Sequence, residues 1–181
     1  MAFLAVIFAE FPQHLTIALA LFCIASLTDY FDGKIARRDK LITNFGILMD
    51  PLADKILVCS AFIAFVGERW IPAWMAVVIV ARELAITGLR LLAASKNVVL
   101  AAEGYGKHKT ISQIVAIIWI LVRQSYGEMN GFGQALFGFP ILGKSWVDLL
   151  EPWAVGIAVF LTFYSGTLYL WRNRQLYLVD L

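Results

Sequence analysis

The residues best placed for chemistry are four aspartates in the run Asp29-x2-Asp32-Gly33-x2-Ala36-Arg37-x8-Gly46-x3-Asp50-x3-Asp54. On a helix, spacings of three and four put side chains on one face, which pairs Asp29 with Asp32 and Asp50 with Asp54. Two such pairs facing one another would form an oxygen-rich cage. Carboxylates without His or Cys suit a hard divalent cation, Mg²⁺ or Mn²⁺. Two ions sharing these ligands would make the paired-metal clamp used for displacement at phosphorus. Gly33, Ala36 and Gly46 recur at helical spacing beside the carboxylates and leave room for a ligand against the backbone; close helix packing is the competing reading. Arg37 lies one turn after Gly33, where its guanidinium can fork onto phosphate oxygens, against the alternative of a snorkelling anchor.

The elements that must hold these residues are apolar helices. With 61% hydrophobic residues, 15% charge and a mean hydropathy of +0.77, the 181-residue chain is too apolar for a soluble globular domain and reads as one membrane domain, 1–181. The net charge of +2 is spread along the chain without basic runs, which argues against nucleic acid as a partner. Cys23 and Cys59 sit in apolar stretches and read as buried small hydrophobes. Segments 14–37, 44–66, 72–92, 109–124 and 152–172 have the apolarity and bounds of membrane-spanning helices. Residues 1–9 are too short to span and read as the end of a helix whose beginning is missing. Together they predict an all-α integral-membrane bundle of six transmembrane helices with a truncated first helix. The Gly-rich stretch 125–151 is expected to be a loop with at most short interfacial pieces. No internal repeat is visible. Ten basic residues, Lys34, Arg37, Arg38, Lys40, Arg90, Lys96, Lys107, Lys109, Arg172 and Arg174, fall on one side, and only Arg69, Arg123 and Lys144 on the other. The richer side is expected to be cytoplasmic, with the polar motifs and the C-terminus facing it.

At every defined position and spacing, the aspartate run resembles the signature of the CDP-alcohol phosphotransferase family. The resemblance implies six transmembrane helices, a homodimer, two divalent cations, and cleavage of the pyrophosphate of a CDP-linked donor with release of CMP. It further implies that Asp29, Asp32 and Asp50 are metal ligands. Asp54 would be both a ligand and the general base that takes the proton of the acceptor hydroxyl. Gly33, Arg37 and Thr43 would line the CDP-lipid site, with Ala36 and Gly46 giving it room. An Asn- and Thr-containing segment with an interfacial helix, which begins other members and helps them bind the donor, has no match here.

A second polar set follows. Arg82 and Glu83 interrupt an apolar helix, Arg90 lies eight residues on and nearly on the face of Arg82, and Lys107 and Lys109 begin the next helix. These cations can form a pocket for the phosphate of an acceptor. The alternative is a structural pair of Arg82 with Glu83, or of an arginine with Asp54, together with interface-anchoring lysines. The wording Ala81-Arg82-Glu83 with Thr87 and Arg90, then Gly106-Lys107-His108-Lys109-Thr110-x2-Gln113, resembles the phosphatidylglycerophosphate synthase branch of the family. That branch joins CDP-diacylglycerol to glycerol 3-phosphate in the bacterial cytoplasmic membrane. His108, between two lysines, is read as solvated, and His14 is given no role.

Relatives using phosphatidylglycerol, serine or an inositol phosphate as acceptor share the same chemistry. From another class, a divalent-cation or proton-coupled transporter also places carboxylates in the membrane, but Arg37 and Arg82 serve an anion better than a cation. The cage reading predicts that Asp29→Ala, Asp32→Ala and Asp50→Ala each abolish turnover and weaken metal binding while the protein still folds. CMP release at the wild-type rate by any one of them, at saturating metal, would refute it.

Overall fold

A computed structural model describes residues 2–38, 44–96, 98, 105–129, 131–141 and 143–178; the side chains of 29, 30, 32–38, 44–54, 105–107 and 132 lie outside that description. The architecture is helical. A short helix α1 (Ala2–Ile7) leads into α2 (His14–Arg38), α3 (Asn44–Gly67), α4 (Ala73–Ser95) and α5 (Tyr105–Ser125). The chain continues through α6 (Gly131–Phe137), a two-stranded antiparallel hairpin of β1 (Pro140–Ile141) and β2 (Lys144–Ser145), α7 (Trp146–Arg172) and α8 (Gln175–Leu178). Among the described residues, α7 is long and apolar enough to cross a membrane, and α2 and α3 hold the shorter apolar stretches His14–Thr28 and Lys55–Gly67. At 23 and 21 residues, α4 and α5 have comparable reach, about 30–35 Å at 1.5 Å per residue, but carry Arg82, Glu83 and Arg90, and Lys107, Lys109 and Arg123, respectively.

The helix ends are fixed by identifiable local chemistry. α3 closes with a Schellman motif, in which Arg69 takes a left-handed φ of 60° while Arg69 N–H donates to the Val66 carbonyl and Trp70 N–H to the Phe65 carbonyl. The Phe65 and Trp70 rings, 5.3 Å apart, supply the apolar contact of that motif. α2 is entered through a cap from far along the chain: Glu128 Oε2 accepts from Leu15 N–H at 3.1 Å and Thr16 N–H at 3.4 Å, and its other oxygen lies 3.3 Å from His14 Nδ1. A carboxylate at a helix N-terminus satisfies free N–H groups and opposes the positive end of the dipole. His14, with no role expected from the sequence, helps hold this junction.

Three sequence expectations need correction. The 125–151 stretch is more structured than a loop, containing α6, the hairpin turning at Gly143 (φ 78°) and the first turns of α7. α7 begins at Trp146, capped by Ser145 Oγ accepting from Val147 N–H at 3.2 Å, so Pro152 lies inside the helix. Pro152, the seventh residue of the helix, cannot donate to the Asp148 carbonyl, and Arg123 ties the same turn by donating from Nε to Asp148 Oδ1 and pairing through Nη1 with Glu151 Oε2, both at 2.8 Å. Cys23 and Cys59 are half-buried, not buried.

The core has layers. Phe3, Phe22, Phe62, Phe65, Ile79 and Ile117 belong to one buried apolar cluster drawn from α1 to α5, and Val155 and Ala158 of α7 complete it. A smaller cluster joins Ile86 and Leu89 of α4 to Tyr169 of α7. Between the two, in the chain order of α4 and α7, come the buried polar residues Glu83, Thr162 and Ser165. The clamp at the start of α7 makes a direct prediction. Arg123→Met should lower the melting temperature of the purified protein, equivalent to about 1–3 kcal/mol, because Glu151 loses its cation where little water reaches it; an unchanged melting temperature would show that the clamp contributes nothing.

Candidate active site

The polar layer is built from three helices. Along α4, Glu83, Thr87 and Arg90 recur at the spacing of one face, and Arg82 lies about 100° round the helix from Glu83. α5 brings Lys109 and Gln113, one turn apart, and α7 brings Thr162, Ser165 and Tyr169. Glu83, 4% exposed, is the centre of the arrangement: its Oε1 accepts from Lys109 Nζ and lies 3.4 Å from Arg82 Nη1. Lys109 is equally buried. Gln113 Nε2 donates to Thr162 Oγ1 at 2.9 Å and links α5 to α7 within the same layer.

Arg82 is oriented by its stem against α7 and by long polar contacts. Nη1 reaches Glu83 at 3.4 Å, Nη2 reaches Ser165 Oγ at 3.5 Å, and Nε is buried with no partner among the described residues. These separations are at the outer limit of hydrogen bonding, so the guanidinium keeps donor capacity for an anion. Arg90 lies further along α4, with Nε 3.4 Å from Tyr169 Oη and Cζ 5.8 Å from the centre of the tyrosine ring. The sequence alternatives are thereby partly reconciled. Arg82 does pair with Glu83, yet the same carboxylate also holds Lys109, and described cations outnumber described carboxylates in this region.

α3 enters the site through Lys55, whose Nζ donates to Thr87 Oγ1; that hydroxyl in turn donates to the Glu83 carbonyl at 2.7 Å. The contact holds the turn of α3 next to Asp54 against the turn of α4 that carries Glu83 and Thr87. Asp29 and Asp32 occupy positions one turn apart on α2, as do Asp50 and Asp54 on α3. Their side chains, with those of Gly33, Ala36, Arg37, Gly46 and Lys107, and the whole of Thr43, lie outside the described residues. His108 is exposed, in keeping with a solvated residue.

Lys55, Ser165 and Tyr169 escaped the sequence reading. The signal that would have found the last two is the polar stripe Thr162, Ser165, Gly166 and Tyr169 in an otherwise apolar helix, at the three- and four-residue spacing of one face.

Residues 1–167 match the family profile described as CDP-alcohol phosphatidyltransferase, and the chain belongs to that family of enzymes. Among its relatives is the Bacillus subtilis CDP-diacylglycerol–glycerol-3-phosphate 3-phosphatidyltransferase, 44% identical over 162 residues that cover 90% of this chain and 75% of the relative. The protein of the same name from Salmonella typhimurium is 38% identical over 178 residues, covering 96% of this chain and 83% of its own.

The geometry singles out Glu83 for a test of stability. Glu83→Leu removes the shared acceptor of Arg82 and Lys109 and breaks the buried pair between helices α4 and α5, a loss of about 3–5 kcal/mol. The variant should unfold well below the wild type in detergent, and equal melting temperatures would contradict the role given to Glu83.

Proposed function

We propose that this chain transfers a phosphatidyl group from CDP-diacylglycerol to glycerol 3-phosphate, releasing CMP and leaving phosphatidylglycerophosphate in the membrane. The observation that carries the choice of acceptor is the cationic layer, in which Arg82 retains unused donor capacity beside Lys109 and Arg90. It suits an acceptor bearing a phosphate better than serine. Among phosphate-bearing acceptors, which include phosphatidylglycerol and an inositol phosphate, the names of the relatives favour glycerol 3-phosphate.

The donor set on α2 and α3 fits divalent cations, because four carboxylates occupy successive turns of two helices without a nitrogen or sulfur ligand among them. Asp29, Asp32, Asp50 and Asp54 would hold two Mg²⁺ or Mn²⁺ ions, whose charge offsets that of the pyrophosphate and of departing CMP. Gly33, Ala36, Arg37, Thr43 and Gly46 line the CDP-lipid site. Arg82, Arg90, Lys107 and Lys109 bind the acceptor phosphate and direct its free hydroxyl towards the donor. Asp54 accepts the hydroxyl proton as the oxygen bonds to the lipid-bearing phosphorus and the bond from that phosphorus to the CMP oxygen breaks. The lysine contact of α3 with Thr87 supports this division of labour, since it joins the helix of the base to the helix of the acceptor site.

In this reading the chain is a homodimer of six-span subunits in the bacterial cytoplasmic membrane, surrounded by membrane lipids, with the site and C-terminus on the cytoplasmic side. α4 and α5 cross it despite their charges because Arg82, Glu83 and Lys109 meet one another between the helices and Arg123 meets Asp148 and Glu151 of α7.

The test follows purified protein given CDP-diacylglycerol, glycerol 3-phosphate and Mn²⁺, with CMP release and the lipid product measured together. Phosphatidylglycerophosphate should form in step with CMP, and a different lipid, or CMP without one, would refute the reaction. Asp54→Asn should keep donor binding and lose kcat by roughly 10²–10⁴-fold, the range for a missing general base. Asp50→Asn should lose donor binding as well; if both variants lose the donor equally, Asp54 acts only as a ligand.

A further inference from the structure

We infer that Ser165, Gly166 and Tyr169 of α7 are positioning residues: they form a wall that sets where the guanidinium groups of Arg82 and Arg90 lie, and so determine recognition of the acceptor phosphate. The inference rests on the glycerol 3-phosphate reading and extends it to a helix that carries none of the signature residues.

Each wall residue constrains an arginine in a different way. Ser165 is buried, and its hydroxyl donates to the Thr162 carbonyl at 3.2 Å, which leaves an oxygen lone pair for Arg82 Nη2. Gly166 gives Arg82 its path. A Cβ at this position would come within 2.6 Å of Arg82 Cγ and 3.7 Å of its Cδ, so the arginine stem lies along α7 only because residue 166 has no side chain. Tyr169, 5% exposed and packed against Ile86 and Leu89, is a fixed post for the guanidinium of Arg90. Its hydroxyl takes the Nε edge, while the ring attracts the guanidinium from 5.8 Å.

The outcome is a division within Arg90. With Nε on tyrosine, neither Nη atom has a partner among the described residues, and this is the edge that forks onto a phosphate. Arg82 is similarly underused. Both arginines are thus oriented by α7 and keep donors that have no partner among the described residues. A wall serving only helix packing would have no need of contacts with two cations.

The experiment measures KM for glycerol 3-phosphate and for CDP-diacylglycerol in wild type, Tyr169→Phe, Gly166→Ala and Ser165→Ala, with melting temperatures alongside. Tyr169→Phe keeps the ring and removes only the hydroxyl, so it remains informative if Gly166→Ala fails to fold. The expected result is a rise of about three- to tenfold in KM for glycerol 3-phosphate, the scale of one lost hydrogen bond, with donor KM unchanged. Inorganic phosphate should become a weaker competitor by a similar factor. Unchanged acceptor KM, or equal shifts for both substrates, overturns the wall while the functional reading stands. No CMP release by the wild type with glycerol 3-phosphate overturns the functional reading itself, and the wall's role in acceptor recognition with it.

Discussion

A carboxylate enclosed among apolar helices must find cations, and Glu83 finds two, Arg82 beside it on α4 and Lys109 on α5. This requirement organises the middle of the molecule. Lys109 can satisfy it only if α5 lies against α4, and Arg82 only if it runs along α7 past Gly166. A buried ion pair is weak evidence of stability, because the desolvation of both groups offsets much of their attraction. Its value here is specificity: α4 and α5 have one arrangement in which their charges meet, with the neutral polar groups of α7 beside it. That arrangement also concentrates positive charge where water is scarce, and there an anion is attracted more strongly than at an exposed surface.

The layers on either side keep this polar centre in place. The larger apolar cluster, rich in phenylalanine, joins the halves of the helices away from the aspartates, and the clamp of Arg123 on Asp148 and Glu151 fixes the first turns of α7. The smaller cluster locks Tyr169 beyond the polar layer. α7 is therefore anchored at both ends, and its polar stripe is held in register with Arg82 and Arg90. Through Lys55 and Thr87, α3 joins the same frame, so the helix of Asp50 and Asp54 is referred to the same fixed centre. In the proposed reaction, such a frame would let positioning and electrostatics supply much of the rate.

Hydropathy made the long helices legible. The segments 14–37 and 44–66 differ from α2 and α3 by a residue at one end, since Arg38 and Gly67 extend helices whose limits were already marked by charge and turn formers. α5 starts four residues before 109, because a polar first turn with Lys107 looks like a loop when apolarity sets the boundary. α7 starts six residues before Pro152 for a related reason: the rule that proline opens a helix competed with Ser145 as a cap, and the cap prevailed. The aspartate run was the clearest functional signal, being local in sequence and strict in spacing. The pairing of Glu83 with Lys109, 26 residues away on another helix, was invisible, since no periodicity within one helix reports the rotation of its neighbour. Glu128 capping α2 across 113 residues was hidden for the same reason.

The central claim is that the layer around Glu83 recognises an anion on the acceptor. It is tested most directly by comparing glycerol 3-phosphate with glycerol, which offers the same attacking hydroxyl without the phosphate, in one preparation of the wild-type protein supplied with CDP-diacylglycerol and Mn²⁺. The account predicts that kcat/KM for glycerol 3-phosphate exceeds that for glycerol by at least about 100-fold, the effect of roughly two charge-assisted hydrogen bonds made only with the phosphate. Equal kcat/KM for the two alcohols would contradict it.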